Sequence, residues 1–113
     1  MRRPAEFEQA VRRGARSGTS SLVVHLARDA DATAAGAHVG FVVAKSVGNA
    51  VVRNRVKRRL RAVVSHRIDQ LPPGGRLVVR ALPGAAVLDS AALDRDFERA
   101  LAGATRRLGV RRR

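Results

Sequence analysis

The sequence predicts an α+β fold, one small sheet and three helices met in the order α-β-β-α-β-α. Three observations predict it. Runs rich in β-branched residues at 20–27, 39–45 and 76–82 have strand character. Two long stretches, 50–69 and 90–108, repeat their apolar residues at the i, i+3, i+4 spacing of a helix packed along one stripe. A chain of 113 residues with no internal repeat and no long linker has room for one modest core. A single domain over 1–113 is therefore expected, with flexible ends at 1–4 and 109–113.

The first element is "PAEFEQAVRRG", 4–14, a short helix. Pro4 suits the first helical position, Glu6 and Glu8 suit the positive end of the helix dipole, and Gly14 suits the exit. Phe7, Ala10 and Val11 share one face. "SSLVVHLA", 20–27, reads as a strand and "RDADATAAGAH" as a surface loop. "VGFVVAK", 39–45, is a second strand, apolar enough to predict a central place in the sheet. In "SVGN", Gly48 supplies backbone freedom and Asn49 a helix cap.

Residues 50–69 make the longest helical pattern, and "LPPGG" at 71–75 ends it, because proline cannot continue a helix. "RLVVRAL", 76–82, is the third strand. Asp89 or Ser90 then caps a last helix striped by Leu93, Phe97, Leu101, Ala104 and Leu108. The strand–helix–strand unit from 39 to 82 fits a parallel crossover, right-handed by default.

Charge narrows the function. The formal net charge is +14, from 23 Lys and Arg against 9 Asp and Glu. Such an excess opposes compaction and points to a polyanionic partner. Between positions 32 and 88 the only acid is Asp69. Three Phe, with no Tyr or Trp, limit base stacking as a binding mode. The absence of Cys excludes thiolate metal sites and disulfides. No apolar run reaches the ~20 residues of a membrane span, and the N-terminus lacks a secretory apolar region, so a cytoplasmic location is expected.

The charge concentrates in "RNRVKRRLR", 53–61. On a helical wheel Val52, Val56, Leu60, Val63 and Val64 gather on one side. Arg53, Lys57 and Arg61 form a flanking row, and Arg55, Arg58 and Arg59 carry the charge round the rest. Arg53–Lys57, Lys57–Arg61 and Arg55–Arg59 are like-charge pairs, each costing an isolated helix roughly 0.2–0.5 kcal/mol. A helix built for solubility would interleave Glu. Asn54 adds an amide able to bond a phosphate, a 2′-OH or a base edge. Nucleic-acid contact is the reading favoured over a solvated face. A membrane-surface helix is disfavoured because the apolar side lacks Trp and Phe and is needed for the core.

No catalytic constellation is evident. His25, His38 and His66 lack ligand spacing, and Ser46 and Ser65 lack a His–Asp partner. Asp94 and Glu98 share a helix face, a geometry two carboxylates can offer to Mg²⁺, but helix-dipole charges explain them more simply.

"FVVAKSVGNAVVRNRVKRRLR", 41–61, closely resembles the signature of the protein subunit of bacterial ribonuclease P. The marks are a strand ending in Lys, a Gly-Asn-Ala turn, then Arg-Asn-Arg and a Lys-Arg run on a helix. "EFEQAVRRG" resembles that family's N-terminal helix, and "LPPGGRLVVRALPGAA" its later strand. The three blocks, in order and spacing, extend over most of the chain.

The resemblance implies a small mixed four-stranded sheet packed by three helices, α-β-β-β-α-β-α. The fold is related to a ribosomal-protein domain with a left-handed βαβ crossover. A fourth strand is then expected near 16–20 or 28–38. It further implies a partner, a catalytic RNA that removes the 5′ leader of precursor tRNA with Mg²⁺ held on that RNA, one protein per RNA, and no active site in the protein. Arg53, Asn54, Arg55, Lys57, Arg58 and Arg61 match positions that face the catalytic RNA. Phe7 matches an aromatic lining the cleft that holds the single-stranded leader, and Lys45 a cleft-edge Lys. Val11 stands where a second aromatic is frequent, His25 where Tyr is frequent, and Ser46 replaces a frequent Lys. Leader contacts are therefore expected to be weaker or differently composed, with Arg76 and Arg80 compensating. The alternatives from other classes are a ribosomal or general RNA-chaperone protein and, more weakly, a DNA-binding module without a helix-turn-helix scaffold.

Overall fold

The structure, a computed structural model, describes residues 14–28, 38–71 and 75–109. The expected helix over 4–14, with Phe7 and Val11, and most of the 28–38 loop lie outside the described residues. So do the tails 1–4 and 110–113 and the prolines of "LPPGG".

Four strands form one mixed sheet: β1 (Ala15–Gly18), β2 (Leu22–Arg28), β3 (His38–Val43) and β4 (Gly75–Ala81), in the order β1-β2-β4-β3. β1 and β2 are an antiparallel hairpin. At its turn the Thr19 hydroxyl accepts from the N–H groups of Ser21 and Leu22. β2 and β4 are antiparallel, whereas β3 and β4 are parallel from His38↔Arg76 to Val43↔Ala81.

Two α-helices follow from the described residues, α1 (Ala50–His66) and α2 (Ser90–Leu108). α1 links the parallel pair, as the crossover expectation required. It stops at His66, where Arg67 leaves helical geometry and a 3-10 turn, Ile68–Gln70, takes over. At 19 residues α2 is the longer helix, not α1 with 17.

The fourth strand is β1, "ARSG", in the region the resemblance pointed to but without the β-branched residues that mark strands. Pairing to β2 and cover from α2 hold it. Gly103 of α2 lies so close that a Cβ there would overlap the Ser17 hydroxyl. The central strands are β2 and β4. β3, expected to be central, is an edge strand whose residues are mostly half-buried. Its apolar run serves both faces, Val39, Phe41 and Val43 on the main core and Val42 on a second cluster with Ala27 and Val78.

The main core lies between one sheet face and both helices. Leu22, Val24, Leu26, Leu77 and Val79 meet Val56, Leu60, Leu93, Phe97 and Ala104, all without solvent exposure. The predicted stripes of both helices are the buried ones, with Val52 and Leu108 partly buried at the margins. A polar contact between sheet and helix enters this layer. The buried Ser21 hydroxyl donates to Asp96 Oδ2 at 2.5 Å, joined by Thr19 at 3.3 Å. No described helix is long and apolar enough to cross a membrane.

Candidate nucleic-acid interface

The basic helix is launched by two residues. Gly48 has φ 157°, and a Cβ there would come within 2.7 Å of Val52 Cγ1, so glycine is required. Asn49 caps α1, its side chain accepting from the Val52 N–H at 2.9 Å. With the start fixed, the 3.6-residue repeat fixes which cations face outward.

Burial of Val56, Leu60, Val63 and Val64 divides the polar and charged residues from 53 to 61 into three groups. Asn54, Arg58 and Arg61 are exposed, and Arg53 and Lys57 half-buried along one flank. Among the described residues none of these five side chains has an ion pair or hydrogen bond. Arg53 Nε is buried without a partner. On the opposite flank, Arg55 Nη2 donates to the Ala86 carbonyl at 3.3 Å and Arg59 Nη1 to the Leu88 carbonyl at 2.7 Å. These two arginines hold α1 against the 3-10 turn Pro83–Val87 that follows β4. Only part of the cationic surface is thus spent internally.

The sheet face away from the helices carries a second set. Register places Arg16 beside His25, Val23 beside Arg80 and Arg80 beside Val42. Burial, then the nearby Arg16 and Arg80 guanidinium groups, hold the His25 imidazole below its usual pKa, so it is neutral at neutral pH. Arg80 is exposed, and Arg76 shares the same face beside Ala27 and His38. Lys45 and Ser46, both exposed, open the 3-10 turn Lys45–Val47. The strand ends earlier, at Val43, and not at the lysine. Because β3 and β4 are parallel, this turn lies at the same sheet end as Arg80, and it packs on the Pro83–Val87 turn. Lys45, Ser46, Arg80 and the start of α1 therefore converge at one end of the sheet. Phe7 and Val11 lie outside the described residues.

The carboxylates of α2 serve the fold. Arg67, a residue that sequence patterning did not single out, chelates Asp94 through Nε and Nη2 at 2.7 Å each, and reaches Glu98 through Nη1 at 2.7 Å. The pair considered for Mg²⁺ thus encloses a guanidinium, and Asp96 is bound to Ser21 and Thr19. These residues do not fit a metal site, and no group of three or more potential ligands occurs among the described residues. A groove of about 450 Å³ beside this ion pair is lined by His66, Gln70 and Ser90 among others, and no hydrogen bond among the described residues joins His66 to Ser90.

The Arg67 clamp predicts a pH dependence. Its hydrogen bond first, and then its charge, hold the Asp94 carboxyl below its ordinary 3.8. A depressed carboxyl contributes stability above that ordinary value and loses it as pH falls through the lower folded value. The melting-temperature advantage of the native chain over Arg67→Met is expected to persist from neutral pH to about pH 5 and to shrink below about pH 4. A constant difference through that range would place the stabilisation elsewhere.

Comparison with known proteins adds an independent view. A family model described as Ribonuclease P matches residues 1–105. The Ribonuclease P protein component of Streptomyces bikiniensis is 54% identical over 107 residues, covering 89% of this chain and 87% of that protein. That of Beutenbergia cavernae is 54% identical over 113 residues, covering 98% and 88%. Among solved structures, the Staphylococcus aureus RNase P protein superposes with TM-score 0.78 at 22% identity, covering 90% of this chain and 91% of that one. The Thermotoga maritima RNase P protein gives TM-score 0.75 at 20% identity, covering 94% of each. At these identities the structural likeness concerns the fold alone.

Proposed function

This chain belongs to the bacterial ribonuclease P protein family, and from that premise we propose that it binds the catalytic RNA of ribonuclease P and the 5′ leader of precursor tRNA. In this reading it is the non-catalytic subunit of an endoribonuclease that produces the mature tRNA 5′ end. One protein assembles with one RNA in the cytoplasm.

One observation carries the reading. α1 has no acid, and its Arg53, Lys57, Arg58 and Arg61 have no hydrogen-bond or ion-pair partner among the described residues. Unpaired guanidinium groups on a rigid helix suit phosphate oxygens, which they bind in bidentate fashion. Arg53, Lys57, Arg58 and Arg61 hold the backbone of the catalytic RNA. Asn54 supplies an amide for a 2′-OH or base edge. Arg55 uses one N–H inward, on Ala86, and its Nε is buried, so only its remaining Nη group is offered to the RNA.

The leader takes the other sheet face. Arg80 and Lys45 meet its phosphates, and Ser46 offers a hydroxyl. His25 and, from the N-terminal segment, Phe7 and Val11 supply contact area to its bases. A neutral His25 presents a flat ring with one donor and one acceptor, a substitute for a Tyr at that place. Mg²⁺, held by the RNA in this proposal, supplies the hydrolytic chemistry. The protein's residues orient the two RNAs.

Leader-length dependence tests the assignment against a general RNA-chaperone role. With the catalytic RNA present, the protein is expected to tighten substrate binding progressively as the leader is lengthened from its first nucleotide. A chaperone or ribosomal protein would bind substrates alike whatever their leader, and that result would contradict the proposal.

A further inference from the structure

The outer face of α2 has no role in the reading above. Arg95, Arg99 and Arg106 are all exposed there. At 100° per residue they fall within a 40° sector, a straight row about 16 Å long at 1.5 Å per residue. Among the described residues none of the three side chains has an ion pair or hydrogen bond.

The acids of the same helix explain why the row stays unneutralised. Asp89 caps the helix through the Ala92 N–H, Asp94 and Glu98 hold Arg67, and Asp96 accepts from Ser21 and Thr19. Every carboxylate from 89 to 98 is thus committed to a donor inside the fold. Arg95 lies close enough to Asp94 to help depress its pKa, but the bonds to that carboxylate come from Arg67. Arg95 and Arg99 form a like-charge i, i+4 pair, which works against the isolated helix. A face serving solubility alone would pair such arginines with outward-facing Glu.

We propose that this row is a second RNA-backbone surface, binding successive phosphates of a segment of the catalytic RNA distinct from the one held by α1. The inference rests on the function proposed above. The partner chemistry follows from the row: three guanidinium groups in line, no aromatic side chain and no amide among them. Such a surface follows a phosphate backbone without reading base sequence. Both helices pack on the same sheet face, so their outer surfaces look out from one layer. A folded RNA partner can meet both.

The test is binding of the full chain to the catalytic RNA over a series of monovalent salt concentrations. The triple variant R95Q/R99Q/R106Q is expected to reduce the slope of log affinity against log salt by two to three units, about 0.9 per lost phosphate contact. The corresponding loss of affinity near 0.15 M salt is roughly tenfold to a hundredfold. The charge-preserving R95K/R99K/R106K is expected to keep most of the slope. Single Arg99→Gln should lower it by about one unit, which keeps the test valid if the triple variant fails to fold. An unchanged slope in folded R95Q/R99Q/R106Q, alongside a reduced slope in α1 variants, would overturn the second surface alone. Unchanged slopes in both sets would overturn the α1 interface as well.

Discussion

Replacing Arg53, Arg58 and Arg61 together with glutamine is expected to weaken binding to the catalytic RNA about a hundredfold near 0.15 M monovalent salt, and to reduce the salt slope by about three units. The size follows from counterion release. Each phosphate neutralised by a cation contributes about 0.9 to the slope, and the affinity at a given salt follows from that slope. Among the described residues the three side chains have no hydrogen bond or ion pair, and glutamine keeps the inner methylenes of the half-buried Arg53. The replacement also relieves the like-charge pairs that Lys57 makes with Arg53 and Arg61. The variant should therefore melt at or slightly above the native temperature while binding far more weakly. Arg59→Gln should do the reverse. It frees the Leu88 carbonyl, bonded now at 2.7 Å, and should lower stability with a smaller effect on the slope. Titration of each variant against the RNA at several salt concentrations, beside a thermal melt, separates the two. An unaltered slope in the triple variant would mean that these residues do not touch phosphate.

Phe97→Ala is expected to cost about 3–5 kcal/mol. The ring is fully buried at the centre of the α2 stripe, packed in the cluster that joins both helices to the sheet. Domain stabilities are about 5–15 kcal/mol, and a formal charge of +14 works against the compact state. The variant should be largely unfolded at low salt and recover structure when RNA is added, because a ligand that binds only the folded state stabilises it. Urea unfolding followed by far-UV circular dichroism measures this. A loss below about 1 kcal/mol would mean that the site repacks and that Phe97 is not central to the core.

The parts of this molecule legible in its sequence are those set by local repeats. The α1 stripe, the Asn49 cap and the Asp89 cap each depend on residues within four positions of one another, and the structure has all three. The family resemblance in 41–61 likewise rests on a contiguous block. What was not legible depends on distant partners. "ARSG" has no strand character of its own and becomes β1 only through pairing with β2 and the close approach of Gly103. An apolar run such as 39–45 predicts burial, but sheet order decides between centre and edge, and β4, arriving more than thirty residues later, takes the inner place.

The site divides in the same way. That α1 is cationic could be read directly, but not which cations remain free. Arg55 and Arg59 are tied by carbonyls about thirty residues downstream, and Arg67 by two carboxylates of α2. The convergence of Lys45, Ser46 and Arg80 needed the parallel register of β3 and β4. With the register known, the period-two alternation of Arg76 and Arg80 puts both on the face that carries His25.

The most direct measurement is reconstitution. The chain is mixed with the catalytic RNA of its own organism and a precursor tRNA carrying a 5′ leader, at Mg²⁺ concentrations too low for the RNA to work efficiently alone. The account predicts that cleavage at the mature 5′ end accelerates on addition of the protein, and that the R53Q/R58Q/R61Q variant loses most of the gain. Cleavage no faster than with the RNA alone, with the protein folded and in excess, would contradict it.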